Sequence, residues 1–157
     1  MKAISLHEPY ATAVIIGLKR VETRNRLTHV RARIVIHAAK HKSKDYRCLW
    51  DDFMQVPEIR WAFHTHGFKT YDSLPFGHLL GTVDLYDCKP TGTAKPVLSD
   101  QELILGNYDP DRFAWVLKQP RPFDKPIPFK AHQGWFTVPD SLLDPSHPSH
   151  SSYPKHP

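Results

Sequence analysis

Lys19, Glu22 and Arg24 fall within one six-residue stretch, and side chains of these types at this spacing can bind phosphate, receive a base or exchange a proton. They belong to Gly17-Leu18-Lys19-Arg20-Val21-Glu22-Thr23-Arg24. An apolar helical run, Ala11 to Ile16, leads into the stretch and stops at Gly17, a residue suited to the left-handed turn that ends a helix. The charges then alternate with Val21 and Thr23, which predicts a short extended segment with Glu22 and Thr23 on opposite faces. Lys19 can bind a phosphate or polarise a carbonyl, Glu22 can accept from a base amino group or act as general base, and Arg24 can fork a phosphate. The same charges also read as an ion pair clamping a helix end to a strand. Both readings stand at this point.

The charge balance favours a phosphate-bearing partner. The 157-residue chain carries a formal +5, and between Lys19 and Arg47 ten Lys or Arg stand against two acids. A basic half on a mildly acidic body is the footprint of a protein that meets nucleic acid. Lys40, Lys42 and Lys44 would then track phosphates, and otherwise they face solvent. Two cysteines, Cys48 and Cys88, have no C-x-x-C spacing, which fits a reducing compartment with both thiols as small buried hydrophobes. No apolar run is long enough to span a membrane and the Met1 end lacks a signal-peptide pattern, so a cytoplasmic protein is expected. His64-Thr65-His66 could offer two metal ligands, but no third ligand stands at a telling spacing, and no metal or cofactor is expected.

The elements that must position these residues follow from periodicity. Lys2 to Ser5 reads as a strand, and His7-Glu8-Pro9 opens a helix whose Tyr10, Ala13, Val14 and Leu18 face the core. Arg33 to Ala38 is the clearest strand, with Ile34, Ile36 and Ala38 on one face and Arg33, Val35 and His37 on the other. A helix from Ser43 to about Met54, with Cys48, Leu49 and Phe53 as its apolar stripe, precedes another from Pro57 through Phe63. His78 to Asp87 is a long strand in which Gly81 marks a bulge or a close backbone approach. Ser99 caps a short helix, Arg112 to Lys118 and Gln133 to Val138 are strands, and Pro-rich connections join those two. Ile34, Ile36, Val83, Leu85, Phe113 and Trp115 should fill the interior. From Asp144 the chain is rich in Pro, Ser and His without apolar content, as in a disordered tail. The whole reads as one α+β domain over residues 1–143, built on a small curved or closed sheet.

Three blocks in order, Ser5-Leu6-His7-Glu8-Pro9-Tyr10-Ala11, the Gly17–Arg24 stretch, and Ile36-His37-Ala38-Ala39-Lys40, resemble the ASCH domain family of the PUA-like superfamily. Gly81 to Cys88, Arg112-Phe113-Ala114-Trp115 and Pro126 through Gly134 fit as later pieces. The resemblance implies a small PUA-like β-barrel with flanking short helices, a cleft beside Lys19 and Glu22, and RNA or another nucleic acid as the class of ligand. It leaves activity open, because the superfamily holds plain binders, a ribonuclease and an amidohydrolase acting on acetylated cytidine. The amidohydrolase-type members carry a threonine where this chain has Glu22, and Thr23 is one residue out of place. That departure weighs against the amidohydrolase chemistry.

Two functions therefore compete. In a binding module, the basic face holds RNA, or the cleft takes a nucleotide, through Lys19, Glu22, Arg24, His37, Lys40, Lys42 and Lys44, with Ser5 and Tyr10 at the cleft. In a small hydrolase acting on RNA or a modified nucleoside, Lys19 and Glu22 become catalytic, as electrophile and general base. His37 also reads as a hydrogen-bonded structural histidine, and Tyr10, Trp115 and Trp135 as core aromatics.

Overall fold

A computed structural model of the chain describes residues 1–144; the sequence-predicted tail lies, apart from Asp144, outside them. Six strands form one mixed sheet: β1 (Lys2–Leu6), β2 (Val21–Arg24), β3 (Ala32–Ala38), β4 (His78–Pro90), β5 (Phe113–Pro128) and β6 (Trp135–Thr137). Their order is β2-β5-β4-β3-β1-β6, with β1 and β3 parallel and every other pair antiparallel. Among the described residues, five α-helices accompany the sheet: α1 (Tyr10–Ile15), α2 (Lys44–Met54), α3 (Pro57–Thr65), α4 (Thr91–Ala94) and α5 (Asp100–Ile104).

Both faces of the sheet are covered, and the alternation along β3 decides what goes where. Ile34, Ile36 and Ala38 join Leu6, Val14, Val83, Leu85, Trp115 and Leu117 in one apolar cluster under α1. Val35 points the other way, into a second cluster with Ala3, Leu79, Ile127, Phe136 and Val138. A third cluster, Trp50, Phe53, Ile59, Phe63, Tyr71 and Leu74, packs α2 and α3 on Ala13 of α1. The expected interior holds: Ile34, Ile36, Val83, Leu85 and Trp115 are buried and Phe113 is partly so.

The expected barrel is not closed. No hydrogen bonds join β2 to β6, the two ends of the sheet. Four strand spacings would hold β5 and β6 about 19 Å apart in a flat sheet. Trp115 of β5 and Trp135 of β6 nevertheless stack with centroids 5.5 Å apart and planes 14° from parallel. The sheet thus curls until β5, next to one end, meets β6 at the other through two indole rings. With only four residues in β2 and three in β6, the edges are too short to complete a ladder.

Three local expectations need correction. The stretch after Lys118, predicted as Pro-rich connection, continues β5 to Pro128. Only Phe113 to Val116 of β5 pair with β2, so beyond them this strand is a sheet edge, where proline lacks no ladder partner. Cys48 is exposed and Cys88 only partly buried, and Trp50 takes the core position on α2. The 78–87 strand extends to Pro90, and its Gly81 serves a close approach: a Cβ there would lie 2.4 Å from the Arg121 carbonyl oxygen.

Candidate nucleotide cleft and basic groove

The helix stop at Gly17 sets the site. Gly17 takes φ +79°, and the Leu18 and Lys19 amides both donate to the Ala13 carbonyl, at 3.0 and 2.9 Å, closing the end of α1. The chain then turns into β2, whose first amides are held by a distant carboxylate: Glu102 of α5 accepts from Arg20 N at 3.0 Å and from Val21 N at 2.8 Å. With β2 pinned at its start and paired to β5, with Glu22 opposite Trp115, Glu22 and Arg24 project on the same side of the strand. Val21 and Thr23 turn inward and are buried.

Lys19, Glu22 and Arg24 line one cleft of about 420 Å³, together with Ser5, His7, Tyr10, Tyr46, Asn107 and Arg112. Lys19 forms its floor. Its side chain is 1% exposed, and its ammonium donates to the carbonyls of Val21 and Leu105 at 2.5 and 2.6 Å. The ammonium also lies 3.8 Å from Glu22 Oε2 and 5.4 Å from the Tyr10 ring centre. Burial pushes the Lys19 pKa down, while Glu22 and Glu102 oppose that shift. Two of the ammonium's three donors are thus spent on backbone carbonyls.

Glu22 is different. Arg24 Nε lies 3.5 Å from Oε1 and Lys19 Nζ 3.8 Å from Oε2, but no hydrogen bond from the described residues reaches either oxygen. The Arg24 guanidinium donates to the Ser5 carbonyl at 3.0 Å and lies 5.6 Å from the Trp115 ring centre. Arg24 Nε and Arg112 Nε are buried without a hydrogen-bond partner among the described residues. The walls are aromatic: His7 stacks on Tyr46 at 4.5 Å. Burial, followed by Glu22 and then Tyr46, raises the Tyr10 phenol to about 12, so it remains a neutral donor.

A second groove, of about 1,000 Å³, shares Ser5, His7 and Arg24 with the first. His37, Lys40, His41, His78, Lys130, His132 and Gln133 complete its polar lining, and none of its lining residues is an Asp or Glu. His37 sits at its wall. Ser5 Oγ is 2.6 Å from Nδ1, and Nε2 is 3.1 Å from the Phe129 carbonyl oxygen. A carbonyl only accepts, so in the neutral ring Nε2 carries the proton and Nδ1 accepts from the serine hydroxyl. Burial lowers the His37 pKa, in keeping with that neutral form.

The lysine run divides. Lys40 lines the groove, Lys42 pairs with Asp72 at 3.1 Å, and Lys44 lies exposed outside both clefts. Asp72 is also gripped by Arg47, and the two cations hold its carboxyl at about 2. Sequence reasoning missed Tyr46, Asn107 and Arg112 in the cleft and Lys130 and His132 in the groove, all brought in by loops and elements far along the chain. Arg112 opens one of the blocks that carry the family resemblance, and Lys130 and His132 lie within Pro126–Gly134, another, but none of the three stood out there as a site residue.

A family model for the ASCH domain matches residues 4–127. Activating signal cointegrator 1 from Homo sapiens is 27% identical over 132 residues, which cover 82% of this chain, and its Mus musculus counterpart is 26% identical over the same length. The chain spans about a fifth of the length of these relatives. The crystal structure of ASCH from Zymomonas mobilis, 19% identical, superposes with a TM-score of 0.51 over 90% of each chain. A point mutant of that protein gives 0.53 over 90% of this chain and 95% of its own. These structures share the fold, and with the family match over most of its length, the chain belongs to the ASCH domain family.

Proposed function

We propose that this domain binds single-stranded nucleic acid, RNA in the first instance, with the backbone in the basic groove and one base in the Glu22 cleft. The observation that carries this reading is the junction at Arg24, whose side chain lines both the acid-free groove and the cleft. A strand laid along Lys40, Lys130 and Arg24 neutralises its phosphates, and an unstacked base turned inward meets Tyr10, Tyr46 and His7. The nucleic-acid reading also agrees with what the resemblance to the ASCH domain family implies. A cytoplasmic location fits the free thiols of Cys48 and Cys88, and no helix of the described residues is long and apolar enough to cross a membrane. We take the domain proper as residues 1–143.

A second reading, a small hydrolase on RNA or a modified nucleoside, is favoured by one observation, the buried Lys19 ammonium with a lowered pKa beside Glu22. Its two hydrogen bonds to carbonyls favour a structural floor over a nucleophile. The test uses labelled RNA and DNA oligomers against the wild type and Arg24→Ala. Binding that falls at least tenfold in the variant, with no cleavage of the oligomers, supports the binding module. Turnover that Glu22→Gln abolishes supports the hydrolase.

A further inference from the structure

We propose that the Glu22 cleft selects guanine over the other bases. This inference rests on the nucleic-acid reading and names the base which that reading leaves open. Glu22 presents two carboxylate oxygens to the cleft without a hydrogen bond from the described residues. A carboxylate only accepts, so its complement is a pair of adjacent donors. Guanine alone among the four bases carries such a pair on its Watson–Crick edge, N1–H beside the N2 amino group. Cytosine and adenine offer one amino group beside a ring nitrogen whose lone pair would face the second oxygen. Uracil offers one N–H between two carbonyl oxygens. A carboxylate at this place therefore attracts one base and repels three.

The flanking cations fix the register. Arg24 lies beside Oε1, 3.5 Å from its Nε, and its side chain is about 30% exposed, so it can donate to a ligand. Lys19, beside Oε2, is shut in and committed to two carbonyls. The cleft thus reads donor, acceptor, acceptor from Arg24 across Glu22. Guanine reads acceptor, donor, donor across O6, N1 and N2. The rings of Tyr10 and Tyr46 supply faces for the purine.

The experiment measures binding of RNA pentamers of uridine that carry guanosine, inosine, adenosine, cytidine or uridine at the centre. The guanosine pentamer should bind at least tenfold more tightly than those with adenosine, cytidine or uridine. Inosine keeps O6 and N1–H but lacks the amino group, and should lose about tenfold, the worth of one hydrogen bond to a charged group. Glu22→Gln, which replaces one acceptor by a donor, should bring the five affinities within about threefold of one another. The wild-type comparison of guanosine with inosine needs no variant, so it holds even where Glu22→Gln folds poorly. Five pentamers bound equally by the wild type overturn the guanine assignment and leave nucleic-acid binding standing. No binding of any pentamer at low salt overturns both.

Discussion

Ser5 and His37 face each other across the parallel β1–β3 pair, in register, with the serine hydroxyl 2.6 Å from the imidazole Nδ1. The bond ties the first strand to the wall of the basic groove and holds the ring neutral, its other nitrogen on the Phe129 carbonyl. Ser5→Ala leaves Nδ1 without its donor at a buried position. It should cost about 1–3 kcal/mol of stability, read by chemical denaturation. Loss below about 0.5 kcal/mol would mean that water or another donor replaces the hydroxyl.

His37 also gives stability a pH dependence. Burial lowers its folded pKa below 6.5, so the unfolded chain binds the proton more readily. The stability it contributes is complete above 6.5 and is lost as pH falls through the window between 6.5 and the lower folded value. His37→Gln should flatten that acid limb. An unchanged limb would assign it to other groups.

Glu8 acts in the opposite sense. Its side chain is fully buried and accepts from Thr12 N at 3.0 Å and Thr12 Oγ1 at 2.7 Å, yet burial raises its pKa to about 7. The folded state therefore binds this proton more tightly than the unfolded chain, and the resulting stability is present below about 4.5 and lost as pH rises through 7. Glu8→Gln, which keeps a neutral polar group at the helix start, should remove up to about 3 kcal/mol of alkaline destabilisation. The check is denaturation midpoints of both proteins from pH 5 to 8.

The indole pair that draws β5 and β6 together is the next test. Trp115 is buried against Leu117 and Val83 and stacks on Trp135. Trp115→Ala should cost about 3–5 kcal/mol. Trp135→Ala, at a site 37% exposed, should cost less than half of that. Equal losses from the two would mean that the stack, rather than the core, carries the energy.

Gly81→Ala probes the sheet from the backbone side. Its Cβ would meet the Arg121 oxygen at 2.4 Å and the Pro122 Cα at 2.8 Å, both parts of the facing strand. Destabilisation of about 1–3 kcal/mol is expected. A neutral result would show that β5 yields freely at its register shift.

Much of this was legible in the sequence, because period-two alternation in β3 and β4 and the Gly17 stop are local signals. The face assignment of Ile34, Ile36 and Val35 needed nothing beyond that alternation. Barrel closure was not legible, since it depends on how far the sheet curls and on whether β2 and β6 are long enough to pair. The second half of β5 was hidden because proline normally argues against a strand, and only the pairing of neighbours reveals a free edge. In the site, Lys19, Glu22 and Arg24 stood together in the sequence, but the role of each depended on distant partners. The Leu105 carbonyl, 86 residues away, commits the lysine, and no spacing announces it. Lys130 and His132 entered the groove from the Pro126–Gly134 piece, whose fit to the family carries no signal for what its individual side chains line.

The salt dependence of single-stranded RNA binding tests the central claim most directly. Wild-type protein should bind a labelled single-stranded RNA oligomer with log affinity falling linearly against log salt, by about 0.7 per phosphate neutralised. Replacing Lys40 and Lys130 together by Gln should remove about two such contacts, lowering the slope by about 1.4 while weakening all sequences alike. Replacing Lys42 and Lys44 instead should change the slope by less, since Lys42 is engaged by Asp72 and Lys44 lies outside the groove. No binding by the wild type at low salt, or a slope that neither double variant moves, would contradict the account.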